Sequence, residues 1–337
     1  MSTLFFKNKP RVVGWYSVAG KKESEGPLGN TFSRIVKDEY YGEKTHEAAE
    51  RKLFVTAIQG VIRDASLNPD TVFAGDLLNQ IVSASFAMRD IGLPYVGIYG
   101  ACSTMALSLI VAASYIDSGL LKTVVAAAGS HFATAERQYR TPLEFGNQRP
   151  PSSQWTVTGA GATMLSNKKA SPIVITSATI GRVIDYGVKD VNNMGAAMAP
   201  AAADTLTRHF KNTKTKPSDY DAIFTGDLGR IGEEALRDLL QDEGYTLGDN
   251  YYDCGRLVYS GKQKVDMGGS GCGCSAITLN GFIFSKLQTG EYKRVLFMAT
   301  GALLSPTTSY QGETIPSVAN AVVFEHQKIN QTEVAAK

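Results

Sequence analysis

The stretch GIYGACSTMALSLIVAASYIDSG, residues 97–119, decides how this chain is read. Tyr95 to Tyr99 is a strand-like run, and from Ser103 and Thr104 onward the pattern turns helical. Residues 105–116, MALSLIVAASYI, are apolar nearly all round, which predicts a helix buried in the core rather than one lying on a surface. Cys102 sits at the turn between strand and helix. Such a turn projects its side chain out of the sheet, and the positive end of a buried helix favours a thiolate there. Cys102 therefore reads as a candidate nucleophile. The competing reading is a small buried hydrophobe, because free cysteine is among the most buried residue types.

Outward from this stretch the chain repeats its own plan. LNPDTVFAGDLLNQ (67–80) reads like TKPSDYDAIFTGDLGR (215–230): a Pro-Asp or Ser-Asp turn, an apolar strand, then Gly-Asp. Each follows a predicted helix, residues 47–65 with Thr45 as N-cap and residues 199–212 with Pro200 near the start. SLIVAASYIDSGLLKTVVAAAGS (108–130) likewise parallels TLNGFIFSKLQTGEYKRVLFMATG (278–301), with Gly119 and Gly290 as left-handed helix stops. Strands alternating with helices imply an α/β protein with a mostly parallel sheet. The repeat implies two pseudo-twofold-related βαβαβ halves, placed at 1–171 and 172–337. The polar, proline-rich stretch 132–155 reads as a loop at a functional rim.

Composition narrows the class. The 337 residues are 43% hydrophobic and 20% charged, with a net charge of +2, and basic residues are dispersed among acids, which argues against a nucleic-acid partner. Four cysteines, two of them in CGC (272–274), fit thiols in a reducing compartment rather than a disulfide framework or a metal cluster. GGSGCGCSA lacks the endings of a phosphate loop or a dinucleotide fingerprint. The N-terminal residues show no signal-peptide core, and no apolar run reaches the roughly 20 residues of a membrane span. The expectation is a protein that is soluble or attached to a membrane peripherally.

The repeat, with cysteine at the first buried helix, resembles the thiolase superfamily, as does TVTGAGATMLS (156–166). That resemblance implies a layered α-β-α-β-α fold with buried central helices. A more specific resemblance runs from about residue 10 to about 326. EGPLGNTFS, AGDLLNQ, GACST, SHFATAERQYR, MAPAAADT, GGSGCGCSA and ATGALLSPT together closely resemble the stage V sporulation protein AD family of endospore-forming bacteria. The resemblance implies binding of dipicolinic acid (pyridine-2,6-dicarboxylate). It implies work with other proteins of the stage V sporulation A operon, moving dipicolinate as its calcium complex into the developing spore. It also implies a peripheral place at the spore inner membrane and, from the fold, a homodimer. No cofactor is implied beyond calcium brought in with the ligand.

A condensing enzyme needs groups that move protons and stabilise an oxyanion as well as a thiolate. Where the superfamily carries them, this chain has Asp227, Leu228, Gly229 and Arg230, then Gly268, Gly269 and Ser270, then Thr300 and Gly301. The resemblance thus implies that Cys102 is kept and its catalytic partners are lost. It also makes Asp253 and Cys254 pocket candidates, matching a segment that approaches the cysteine, and Ser270 likewise. Asp227, like Asp76 in the first repeat, reads either as a turn cap or as a pocket residue. His131 is a candidate for the pocket rim or an ordinary loop histidine, whereas His46, His209 and His326 read as surface residues. A dianion would seek helix N-termini, expected after Cys102 and at Ser275, and counter-charges among Arg137, Arg140, Arg230 and Arg256. Two alternatives stay open: an active Cys102-dependent acyltransferase or condensing enzyme, and a purely structural subunit of a membrane complex.

Overall fold

Eight elements recur in the same order in each half of this computed structural model, which describes residues 2–139 and 149–329. The first half runs β1 (Arg11–Ala19), α1 (His46–Ala65), β2 (Thr71–Gly75), α2 (Val82–Ile91), β3 (Tyr95–Gly97), α3 (Thr104–Asp117), β4 (Thr123–Ser130), then α4 (Phe132–Tyr139) and β5 (Gly159–Ser166). The second runs β6 (Ile173–Thr179), α5 (Met194–Thr213), β7 (Ala222–Thr225), α6 (Gly229–Asp242), β8 (Tyr251–Asp253), a short α7 (Cys254–Val258), α8 (Cys272–Thr278, continued through a π turn to Thr289), β9 (Arg294–Ala302) and β10 (Ser317–His326). Apart from α4, α7 and a few short elements, among them strands Trp155–Thr156 and Gly269–Ser270 that pair with each other, each half is β-α-β-α-β-α-β-β, one helix and two strands beyond the βαβαβ expectation.

Strand order is β3-β2-β4-β5-β1 in one half and β8-β7-β9-β10-β6 in the other, the same path twice. The two sheets touch through a single pairing, Arg11 with Val174. The mostly parallel expectation is corrected. β2 pairs in parallel with β3 and β4, but β4–β5 and β5–β1 are antiparallel, and the second half repeats this mixture. The antiparallel strands need no helical crossover, so the alternation rule misses them. The Asp of each repeated turn does the same work. Asp70 accepts from Lys122 and Thr123 N–H, and Asp221 from Lys293 and Arg294 N–H, tying the start of β2 to β4 and of β7 to β9.

Three apolar cores separate five layers. The middle one holds α3 and α8 between the sheets, and Met105, Ala106, Leu109, Ala276 and Ile277 are wholly buried there. A second lies under α1 and α2 on the outer face of the first sheet, and a third under α5 and α6 on the second. This is the α-β-α-β-α arrangement. Packing in the middle is close: a Cβ on Gly161 of β5 would lie 2.4 Å from the carbonyl oxygen of Ala276 in α8. Thr45 caps α1 by accepting from Ala48 N–H at 3.2 Å, and Gly119 and Gly290 adopt left-handed φ of 78° and 74° just past their helices.

Four expectations shift. The helix expected at 199–212 begins at Met194, capped by Asn193, so Pro200 lies inside it. The helix expected to open at Ser275 opens at Cys272. Part of the expected 132–155 loop is helix α4, and residues 140–148 lie outside the described ones. His209 is fully buried, accepting or donating at Thr179 Oγ1 (2.8 Å) and Tyr220 Oη (2.9 Å); it lies one turn beyond Thr205 and two beyond Ala201 on the inward face of α5. Among the described residues no helix is long and apolar enough to cross a membrane.

Candidate functional site

The turn that carries Cys102 is built by its neighbours. Ala101 takes a left-handed φ of 48°, which lets the chain leave β3 and enter α3 within a few residues. Ser103 and Thr104 hold that shape. The Ser103 hydroxyl donates to Gly100 O (2.7 Å), the Thr104 hydroxyl to Ala101 O (2.6 Å), and Asn320 Nδ2 reaches from β10 to Ser103 Oγ (3.2 Å). From the second half, Gly301 meets the same turn, where a side chain would strike Gly100 O.

Asp227 faces the thiol. Its Oδ1 accepts from Thr300 (2.6 Å), and its Oδ2 from Ser270 hydroxyl (3.2 Å) and Gly271 N–H (3.1 Å). The Cys102 thiol is its remaining partner. Burial pushes the Asp227 carboxyl up to about 7. Burial first and the Asp227 carboxylate second hold the Cys102 thiol well above its ordinary value, outweighing the Gly271 and Ser270 donors. The expectation that the helix end would favour thiolate is corrected: the site keeps the proton on sulfur.

Cys102 and Ser270 line a narrow cleft together with Leu77, Tyr99, Tyr139 and Leu304. Outward it meets a wider hollow of about 660 Å³ that shares Tyr99, Tyr139 and Leu304 and is bounded by Leu78 to Ile81 and Ser305 to Pro306. Tyr139 donates from its hydroxyl to Leu77 O, and Gln138 joins Asn79, so α4 latches the 77–81 segment over the cleft. The mouth is strained: Gln80 and Ile81 are consecutive left-handed residues, and Ile81 is β-branched. Among the described residues the lining offers hydroxyl and thiol groups and no Lys, Arg or His. Tyr99, Tyr139 and Thr300 complete the site. Tyr99 lay three residues from the cysteine in the opening stretch, whereas Tyr139 had no local signal.

The other sequence candidates are dispersed. Asp253 is a cap: it accepts from Thr225 hydroxyl, Leu228 N–H, Gly229 N–H and Arg256 N–H at 2.7–3.3 Å, and lies outside the cleft. Asp76 is the cap of its own turn through Leu78 and Ala84 N–H. Asp227, the repeat equivalent of Asp76, is thereby released, because Asp253 caps the turn after it. Cys254 is wholly buried in the middle core. His131 is buried with Nε2–H donating to Glu39 O (2.9 Å) and Nδ1 accepting from Ala133 N–H; it lines a separate cavity with Lys22, Glu23 and Trp155. His46 is half-buried against Tyr40, and His326 half-buried on Leu287 O. Arg137 pairs with Glu47 and Arg256 with Glu233, Arg230 lines a further cavity, and Arg140 lies outside the described residues. Among the described residues no three His, Cys, Asp or Glu gather as a metal site.

The buried acids set a pH dependence. Burial raises Asp76 and Asp253 to about 6 and Asp227 to about 7, and raises Glu23 and Glu50 as well. The folded chain therefore holds protons that the unfolded chain releases, and this stability is lost as pH rises through 6–7. His131 and His209, lowered to about 4 by burial, act the other way only below about 6.5. The melting temperature is expected to be higher at pH 6.5 than at pH 8, by roughly 2–5 °C. A scanning-calorimetry series that is flat or rises toward pH 8 contradicts this.

A family model for stage V sporulation protein AD matches residues 1–325. The chain belongs to the stage V sporulation protein AD family. It is 45% identical over 312 residues to the stage V sporulation protein AD of Bacillus subtilis (strain 168), covering 92% of each chain. Solved structures of the same fold include 3-oxoacyl-[acyl-carrier-protein] synthase III from Aquifex aeolicus (TM-score 0.58, 13% identity, 94% of this chain and 99% of that one). Human mitochondrial 3-ketoacyl-CoA thiolase with CoA is similar (0.59, 12%, 97% and 100%), as is a single-site variant of Xanthomonas campestris OleA (0.60, 12%, 95% and 99%). At such identities the likeness establishes the thiolase fold and nothing about activity. The chain thus combines the thiolase fold with membership of a family named for sporulation.

Proposed function

We propose that this protein is a non-catalytic thiolase-fold binder of dipicolinic acid that takes part in its uptake into the developing spore, working with other stage V sporulation A proteins at the spore inner membrane. One observation supports the non-catalytic part: burial first and the facing Asp227 carboxylate second hold the Cys102 thiol well above its ordinary value, and among the described residues no histidine lines the cleft. A nucleophilic thiol needs the opposite surroundings, a cation or a base with an open acceptor.

The cleft also bears on the form of the ligand. Among the described residues its lining supplies hydroxyls, a thiol and two tyrosine rings but no cation, and a carboxylate lies behind it. A free dianion fits such a lining poorly. The calcium complex, with its charge neutralised by cargo calcium, fits better. Calorimetric titration with dipicolinate is therefore expected to show saturable binding that is tighter with calcium. Cys102→Ala should weaken it about fivefold, the worth of roughly 1 kcal/mol for one lost polar contact. No heat of binding in either form sinks the ligand reading and leaves a scaffold. The apolar walls around a thiol favour one other reading, acyl transfer; steady turnover of an acyl-CoA dependent on Cys102 would establish it.

We also propose a homodimer through β3. Among the described residues this edge strand has no further strand beyond it, and Val96 and nearby Phe86 are more than two-fifths exposed. Val96→Lys is expected to shift the mass measured by light scattering to that of a monomer; an unchanged mass places the interface elsewhere.

A further inference from the structure

Residues 259–268, between α7 and the strand at Gly269, form a loop whose shape is expensive and closely held. Lys264 and Asp266 are left-handed non-glycine residues (φ 53° and 55°), and Gly268 has φ 118°. Gln263 clamps the loop, accepting from Ser260 N–H (2.8 Å) and donating to Lys22 O (2.6 Å). Val265 is buried, Met267 N–H bonds to Ser153 O, and Arg230 N–H bonds to Met267 O. A loop fixed this way presents its side chains at set positions: the basic Lys262 and Lys264 and, between them and Gly268, the acidic Asp266. Lys262 and Lys264 are exposed and form no ion pair among the described residues.

Beside the loop is an open hollow of about 200 Å³ lined by Arg230, Arg256, Ser260, Gly261 and Asp266, which shares no residue with the Cys102 cleft. Arg256 shares the carboxylate of Glu233 (2.6 Å) with Arg237 (3.1 Å), so two guanidinium groups rest on one acid. Arg230 is exposed and has no ion-pair partner there. Lys22, tied to the loop by Gln263, adds a cation on the same side, its ammonium 3.6 Å above the Trp155 ring. Arg230, Arg256, Lys262 and Lys264 thus outnumber the acids at this surface, Asp266 and the Glu233 carboxylate that Arg256 shares with Arg237.

We propose that the Arg230–Arg256 cavity and the Lys262–Lys264 loop form a phosphate-binding surface, for the headgroup of an anionic phospholipid or for a free phosphate group. Guanidinium pairs match phosphate oxygens in a fork geometry, and the flanking lysines add attraction over a plane. The proposal rests on the charge and shape of this surface and is independent of dipicolinate, so either can fail alone.

Flotation of the full chain with phosphatidylglycerol vesicles, and with phosphatidylcholine vesicles, tests the lipid arm; thermal shift with inorganic phosphate tests the other. Retention on phosphatidylglycerol only, weakened by salt, is expected. Arg230→Glu with Lys262→Glu and Lys264→Glu should reduce it about a hundredfold, at about fivefold for each cation near an anionic surface. The same charge change at exposed Lys37, Lys44 and Lys189 should reduce it far less. An unchanged circular dichroism spectrum and an unchanged Cys102 alkylation rate show that the triple variant is folded. Stabilisation by phosphate that the triple variant loses, without vesicle binding, supports the site with a soluble source. Equal retention on both lipids, equal loss in the two triple variants, or no response to either probe overturns it.

Discussion

Asp227→Asn is expected to raise the rate of Cys102 alkylation by iodoacetamide at pH 7.5 about tenfold or more. The reagent reacts with thiolate, and each unit by which a thiol pKa falls gives about ten times more of it. Removing the carboxylate removes the main charge that opposes ionisation, while the Ser270 and Gly271 donors that favour it remain. An asparagine amide adds another donor on that side. Burial is the larger cause of the raised value and is untouched, so the thiol should still ionise above its ordinary range. The reaction can be read at one site: Cys254, Cys272 and Cys274 are wholly buried, and only Cys102 lines the cleft. Peptide mapping by mass spectrometry gives the rate. A rate unchanged in a folded Asp227→Asn protein would show that the carboxylate does not hold the proton, and the case against catalysis would lose its main support.

Gly75→Ala should be the most damaging single methyl group in the first sheet. Gly75 ends β2, and a Cβ there would lie 1.7 Å from the carbonyl oxygen of Ile98. Ile98 cannot simply step aside, because its N–H bonds to Ala74 O at 2.9 Å and it leads directly into the Cys102 turn. Relief requires β2 and β3 to part. A loss of at least about 3 kcal/mol is expected, at the upper end of overpacking costs, with the melting temperature falling by roughly 5–10 °C. Gly261→Ala is the comparison: nothing lies within 4 Å of its Cβ, and a change within about 0.5 kcal/mol is expected. Equal melting temperatures for the two variants would mean that the close approach of β2 to the turn is not rigid.

What the sequence disclosed was local. The helix stops at Gly119 and Gly290, the Thr45 cap and the strand-to-helix turn at Cys102 each rest on a few adjacent residues, and the repeated Gly-Asp letters reported the internal symmetry. The buried face of α5 was also legible, since Ala201, Thr205 and His209 recur every four residues, but the charges around His209 drew attention away from that spacing. Other features had no local sign. Tyr139 enters the cleft from α4, 62 residues along the chain from the Leu77 carbonyl it bonds. That Asp253 rather than Asp227 caps the turn at Leu228 depends on β8 lying beside β7, a pairing known only once the sheet closes. Arg137 meets Glu47 and Arg256 meets Glu233 for the same reason: an arginine's place in the sequence says little about which acid it meets in space.

Asp76 and Asp227 hold the same place in two copies of one plan, yet only the first still caps its own turn. In the second copy a neighbouring strand brings Asp253 to do that duty, leaving the Asp227 carboxylate to face the thiol. Duplication within a single chain makes such a division of labour possible. One copy keeps the task of closing its own turn, and the other, relieved of it by a substitute, is free to face the pocket. An asymmetric pocket can in this way arise in a symmetric scaffold through the reassignment of one side chain, with no change in the path of the backbone.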